Sequence, residues 1–161
     1  MSDTLFPEFD SETADDPAPK PPPRGFIVRT DGAARGNPGP ASLGAALYDL
    51  RRPDARDDRA VPDASISDYL GVQTNNVAEY TGVVRALDLA RELGAREVHL
   101  LLDSKLIPLW SAARSTLAGF ERWSATHVPR ARNSVADALA NEAIDRAQAG
   151  GPASVVRRPA G

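Results

Sequence analysis

The chain has 161 residues, 42% of them apolar and 25% charged, with a formal net charge of −3 and no cysteine. That length accommodates one domain around one core, and the lack of cysteine excludes disulfides, thiolate nucleophiles and Cys-type zinc sites. The start, MSDTLFPEFD, is acidic without the apolar segment of a signal peptide, and no apolar run approaches membrane-spanning length. A soluble, cytoplasmic, monomeric protein with no membrane partner is therefore the expectation. Residues 1–25 hold six acidic side chains against Lys20 and Arg24, leaving 17 basic and 16 acidic side chains in the remainder. A near-neutral body whose acids gather at one place can still present a basic groove to nucleic acid.

Residues 1–24 combine those acids with Pro17, Pro19 and Pro21-Pro22-Pro23 and read as a disordered tail with nothing to pack. Phe26–Thr30 reads as a strand that runs into the turn-rich segment Asp31–Pro40; Ser42–Tyr48 and Ser67–Val72 are two further strands, joined by a charged loop over 51–62. These three form an antiparallel meander. The spacing of Tyr80, Val83, Val84, Leu87 and Ala90 predicts a helix over 76–93, ended by Gly94. Glu97–Leu102 is nearly continuous in apolar residues, which predicts a strand buried on both faces. A helix follows from Pro108 to about 118 with Trp110, Ala113 and Leu117 on one side. Then come a short strand, Trp123–Val128, and a last helix from Val135 to Ala147 with Val135, Leu139, Ala143 and Ala147 in line. Residues 150–161, rich in Gly and Pro, read as a flexible C-terminal tail, so the folded domain is expected over 25–149. Three strands followed by helix, strand, helix, strand, helix make an α/β fold, a mixed sheet flanked by helices.

Four acids stand out: Asp31 in RTDGAARGNPGP, Glu79 in TNNVAEY, Asp103 in LLLDSKL and Asp137 in NSVADALANEA. Each has a local explanation. Asp31 opens a turn, Asp103 is placed to cap the next helix, and Asp137 follows Ser134 at capping-box spacing. Glu79 is harder to explain locally, because it lies one turn before Val83 at the edge of the apolar stripe, where a carboxylate is poorly solvated. If the strands at Phe26 and Glu97 are parallel neighbours, Asp31 and Asp103 end at the same sheet edge, where open α/β sheets place their sites. Both helices can bring their acids to that edge. Four carboxylates in one place repel unless a cation joins them, and a convergent carboxylate set is a hard-oxygen cage for Mg²⁺.

The blocks TDGAARGNPGPASLGAAL, GVQTNNVAEY, LLDSKL and HVPRARNSVADALANEA resemble, in order, those of the type 1 ribonuclease H family, over about residues 26–148. The resemblance implies a ribonuclease H-like, mixed five-stranded sheet of order 3-2-1-4-5 and cleavage of the RNA strand in RNA/DNA hybrids with Mg²⁺ or Mn²⁺. Under it, Asp31, Glu79, Asp103 and Asp137 are the catalytic, metal-binding acids. Asp31 bridges two ions, Glu79 and Asp103 serve one and Asp137 the other, the ions lying ~4 Å apart to generate the nucleophile and stabilise the leaving oxygen. Gly32 to Asn37, with Asn75 and Asn76, match positions that face the minor groove of the hybrid, where the 2′-hydroxyl distinguishes RNA from DNA. Thr74 matches a contact to the DNA phosphate.

The chain departs from the family pattern in three ways. The loop Pro129–Asn133 lacks the histidine that many members carry before the last acid; His127, earlier, reads as a structural strand residue, and Arg130 or Arg132 is left to touch phosphate. On the order of 15 residues, about one helix with its loop, are absent after DSKLI. The crossover Ser104–Arg122 still spans 19 residues, enough for a parallel connection, but the absent helix would have started behind Asp103 and helped to orient it. No basic handle and no separate hybrid-binding module is visible, so binding is expected to be modest and salt-sensitive. The alternative function is a catalytically impaired module of the same fold that binds hybrid without cutting it.

Overall fold

The computed structural model describes residues 24–159, so the tail expected over 1–24 lies, apart from Arg24, outside the described residues. Strands β1 (Arg24–Ala34), β2 (Gly39–Asp49) and β3 (Ala64–Gln73) form the antiparallel meander. Helix α1 (Asn75–Glu92) crosses to β4 (Ala95–Leu102), and α2 (Ile107–Leu117) crosses to β5 (Arg122–His127). A 3-10 turn at Arg130–Arg132 leads into α3 (Ser134–Gln148) and β6 (Ser154–Arg157). β4 pairs parallel with β1, and β5 parallel with β4, so the shortened crossover does close. The sheet order is β5-β4-β1-β2-β3-β6, the expected five-strand order with a sixth strand added. Among the described residues no helix is long and apolar enough to cross a membrane.

Alternation along the strands builds a core on each face of the sheet. Phe26, Val28, Leu43, Leu47, Val98, Leu100 and Leu102 pack with Val83, Leu87, Ala113 and Leu117 of α1 and α2. On the other face Ile27, Ala46 and Tyr48 pack with Ala55 and Ala60 of the 51–62 loop, and Val135 and Leu139 of α3 close over them. The Tyr48 hydroxyl donates to the carbonyl of Ala60 at 2.9 Å, anchoring that loop.

Several expectations from periodicity need correction. β4 alternates between buried and half-exposed residues, because among the described residues no helix covers the β4–β5 end of the second face. α1 buries Ala78, Gly82, Val83, Ala86 and Leu87, while Tyr80 is 50% exposed: the small residues face the sheet because the helix lies close to it. The same reason turns α3, whose buried side is Ala136, Ala140, Ala143 and Ile144 rather than the row through Val135 and Leu139. A Cβ on Gly44 would collide with the carbonyl of Ala136 and sit 2.6 Å from the nitrogen of Ala140, so helix and strand backbones meet there directly. In α2 Leu109, not Trp110, joins Ala113 and Leu117 in the core.

The largest correction concerns residues 150–161. Gly150, at φ +83, and Pro152 turn the chain back, and Ser154–Arg157 pairs antiparallel with Ser65–Asp68. Ser154 Oγ donates to Asp68 Oδ1 at 2.5 Å, and Arg146 donates to the carbonyls of Pro152 and Ser67, each at 2.7 Å. Four residues with one half-buried face carry too weak a pattern to be read as a strand in advance. Ending the chain after Gly151 should therefore lower stability by about 1–2 kcal/mol, a fall of several degrees in Tm by calorimetry. An unchanged Tm would mean the segment behaves as the tail first expected.

Candidate active site

The parallel pairing of β1 and β4 ends at Thr30 opposite Leu102, and Asp31 and Asp103 follow immediately after the two paired segments. Asp31 is 5% exposed and pairs across the antiparallel ladder with Gly44. Gly44 is where α3 touches the sheet, so this one pair places Asp31 beside the first turn of α3 and Asp137. The nearby carboxyl of Asp137 adds to the raised proton affinity of Asp31.

Glu79 arrives from the other side. Thr74 caps α1, its Oγ1 accepting from the N–H of Val77 at 3.2 Å, and Glu79 follows in the second turn. A Cβ on Gly32 would lie 2.5 Å from the nitrogen of Glu79, so only glycine lets the helix come this close. The Gly32 N–H then donates to Glu79 Oε1 at 3.1 Å. One oxygen from each of Asp31, Glu79 and Asp103 lies within 4.8 Å of the others. Burial raises the proton affinity of Asp31, and the neighbouring carboxylates of Glu79 and Asp103 raise it further. Burial also raises that of Glu79, against the opposing hydrogen bond from Gly32. Three convergent carboxylates, whose mutual repulsion a cation would relieve, form a hard-oxygen set that fits a divalent ion of the Mg²⁺ or Mn²⁺ kind.

These groups line an open cavity of about 620 Å³, together with Gly32, Arg35, Asn37, Asn75, Asn76, Arg130 and Asn141. Thr74 stands outside it, as the helix cap. Neither Asn75 nor Asn76 caps α1; the N–H of Asn75 instead donates to Asn37 Oδ1 of the loop at 3.1 Å. Ser134 and Asp137 do not form a capping box either. Asn133 precedes the helix, and its carbonyl accepts from the N–H of Asp137 at 3.1 Å. Arg130 approaches Asp137 Oδ1 at 3.9 Å.

Sequence reasoning missed the residues that hold the acids in place. Asn141, one turn after Asp137, donates to Asp137 Oδ1 at 3.3 Å; its i,i+4 spacing was a readable signal. With the helix after Asp103 absent, the segment Asp103–Leu106 is held by two side chains from farther along the chain. His127 Nε2 donates to the carbonyl of Asp103 at 3.1 Å, and Trp110 Nε1 to that of Ser104 at 2.9 Å. Asn133, fully buried, donates to the carbonyl of Thr30 at 2.8 Å, and the motif context offered no signal for that.

Comparison with known proteins agrees with this geometry. The model of a family described as reverse transcriptase-like matches residues 29–111. Ribonuclease HI of Halobacterium salinarum is 41% identical over 144 residues, 78% of this chain and 68% of that protein. The crystal structure of RNase H1 from the same archaeon superposes with a TM-score of 0.64 at 38% identity, over 75% of this chain and 98% of that one. A bifunctional protein of Mycobacterium tuberculosis is 38% identical over 137 residues, 75% of this chain but 36% of its own length; the chain spans about a third of that relative. LC11-RNase H1, isolated from compost and solved in complex with an RNA/DNA hybrid, matches with a TM-score of 0.62 at 32% identity, over 76% of this chain and 99% of that one.

Two outcomes follow from the crowded carboxylates. A carboxyl whose proton affinity is higher folded than unfolded contributes stability below the unfolded pKa of about 3.9, and that contribution is lost as pH rises through the folded value. Asp31→Asn should thus be more stable than the parent at pH 8 without metal, by about 1–2 kcal/mol, with the gap closing toward pH 4. Mg²⁺ should raise the Tm of the parent more than that of the variant; thermal melts across pH with and without the ion check both, and a destabilised variant at pH 8 would contradict the repulsion. Trp110→Phe, which keeps the ring but loses the N–H, should cost about 1 kcal/mol and weaken Mg²⁺ binding by titration calorimetry if the Ser104 bond steadies Asp103.

Proposed function

The chain belongs to the type 1 ribonuclease H family, and on that premise we propose that it hydrolyses the RNA strand of RNA/DNA hybrids, with Asp31, Glu79, Asp103 and Asp137 as its catalytic acids. The observation that carries this reading is the convergence of carboxylates from β1, α1 and the end of β4 within 4.8 Å, at the edge where open α/β sheets place their chemistry. Those acids would hold two divalent ions, Mg²⁺ or Mn²⁺, which when bound activate water and neutralise charge on the phosphodiester oxygens.

The protein's own groups divide the remaining work. Asp31, the most buried of the four, has its proton affinity raised by burial and by Glu79 and Asp103, so ion affinity should rise with pH. Gly32 orients Glu79 by donating a backbone hydrogen bond to Oε1. Asn37, locked to the N–H of Asn75, ties the glycine-rich loop to the start of α1, so that Asn75 and Asn76 offer their amides to the minor-groove edge and the 2′-hydroxyl of the RNA strand. Thr74 spends its lone pair on capping α1 and keeps its hydroxyl hydrogen for a phosphate of the DNA strand. Arg130, 84% exposed at its side chain, is the cation nearest Asp137 and meets a backbone phosphate. The short tether between β4 and α2 serves the same chemistry because His127 and Trp110 restrain it.

Cleavage of an end-labelled RNA/DNA hybrid with and without Mg²⁺, beside RNA and DNA duplexes, tests the reading. The parent should cut only the RNA strand of the hybrid and only with metal. Asp31→Asn should lose at least roughly 10²-fold, since the metal's part in the barrier is several kcal/mol. Hybrid retained on a gel but uncut in either Mg²⁺ or Mn²⁺ would instead identify a binding module.

A further inference from the structure

Beside the acids lies a buried cation that the metal chemistry does not use. Arg29 precedes Asp31 by two residues on β1, so both side chains leave the same face of the strand, and Arg29 is 3% exposed. Its Nη1 donates to the carbonyl of Arg132 at 2.6 Å and its Nη2 to the carbonyl of Arg56 at 3.2 Å. Nε has no partner among the described residues. Burying a guanidinium against neutral carbonyls is expensive; methionine or leucine would fill the space more cheaply if filling were all that was needed.

The neighbouring contact points to the need. Asn133 donates to the carbonyl of Thr30 at 2.8 Å, so two successive residues of β1 grip two successive residues of the loop before α3. Within that loop the N–H of Arg132 donates to Pro129 at 2.8 Å and that of Asn133 to Arg130 at 3.0 Å. The turn is thus closed on itself and stapled to the strand that carries Asp31, while Arg130 projects from it into the acid cavity. An arginine on a loose loop would lose backbone and rotamer freedom on gripping a phosphate; one on an anchored turn loses mainly the latter.

We propose that Arg29 is a positioning residue: its buried guanidinium holds the Arg130–Arg132 turn against β1, so that Arg130 is presented beside the acids to contact a backbone phosphate of the hybrid. This rests on the hybrid-cleaving reading above and adds to it a residue that never touches substrate.

The test compares the parent with Arg29→Met, Arg29→Lys, Arg130→Ala and the Arg29→Met/Arg130→Ala pair. Anisotropy of a labelled RNA/DNA hybrid in Ca²⁺ over a range of salt gives affinity and its salt slope; kcat and KM are taken in Mg²⁺. Replacing a buried charge by an apolar side chain of similar volume often leaves stability unchanged, so the Met variant should fold. Arg130→Ala should lower the salt slope by roughly one, the signature of one lost phosphate contact. Arg29→Met should lower it in the same direction and raise KM several-fold with little change in kcat, and the pair should be no worse than Arg130→Ala alone. A residue that merely supports the fold would leave the slope untouched and its losses would multiply with those of Arg130→Ala; either result overturns the proposal. Should the Met variant not fold, Arg29→Lys decides, because an ammonium cannot fork to both carbonyls: a reduced slope supports the proposal and the parental slope overturns it. An unaltered slope in Arg130→Ala removes the contact to be positioned and overturns it too, while metal-dependent cutting by the parent would still stand. A parent that binds hybrid with the coupled pattern but never cuts would sink the activity and leave the positioning intact.

Discussion

Mutual repulsion among carboxylates confined at one poorly solvated sheet edge is the constraint around which this molecule is arranged. Asp31, Glu79 and Asp103 stand within 4.8 Å of one another, and Asp31 is nearly inaccessible. Such a cluster persists only if each member is held from behind by contacts that outweigh the tendency to splay. Two close approaches of helix to sheet serve that end. At Gly32 the strand meets α1 at Glu79, and at Gly44, the ladder partner of Asp31, β2 meets α3 between Ala136 and Ala140. Small residues on the sheet-facing sides of both helices are the packing counterpart of those approaches.

Each acid is then secured by a different kind of contact. Asp31 sits in a central strand, paired across the antiparallel ladder with Gly44. Glu79 receives a backbone N–H. Asp137 receives the amide of Asn141 from one turn on. Asp103 follows the last paired residue of its strand and precedes an unstructured tether, so it depends on His127 and Trp110 gripping the carbonyls of Asp103 and Ser104. The shortened crossover therefore changes how the acid is supported without removing it from the cluster. On the opposite side, Arg29 and Asn133 do for the loop before α3 what His127 and Trp110 do for the tether. In both cases side-chain donors from neighbouring elements bond backbone carbonyls and so tie an irregular segment to the sheet.

The acids and the order of elements were legible in the chain because both are written in local signals. Turn residues after Asp31, the apolar periodicity of α1, the Gly94 stop and the apolar run ending at Asp103 each depend on neighbours a few positions away. The resemblance of four ordered blocks then supplied the common destination of the acids. What periodicity misjudged was the direction each helix faces. Val135, Leu139 and Tyr80 were the larger apolar residues and looked like the core, yet alanines occupy it, since Gly44 and Gly32 leave room for backbone and for little else.

The sequence alone, through spacing and residue chemistry, determined that the chain folds as a mixed sheet with helices and carries its acids near strand ends and in the first two turns of helices. Tertiary structure decided the rest: that Ser154–Arg157 adds a sixth strand, that Thr74 caps α1, and that Arg29 lies inside, clasping a carbonyl 103 residues away. The physical reason is the same in each case. A hydrogen bond between a side chain and a distant backbone carbonyl leaves no periodic trace, because any residue supplies the carbonyl and only the packed chain brings it within reach.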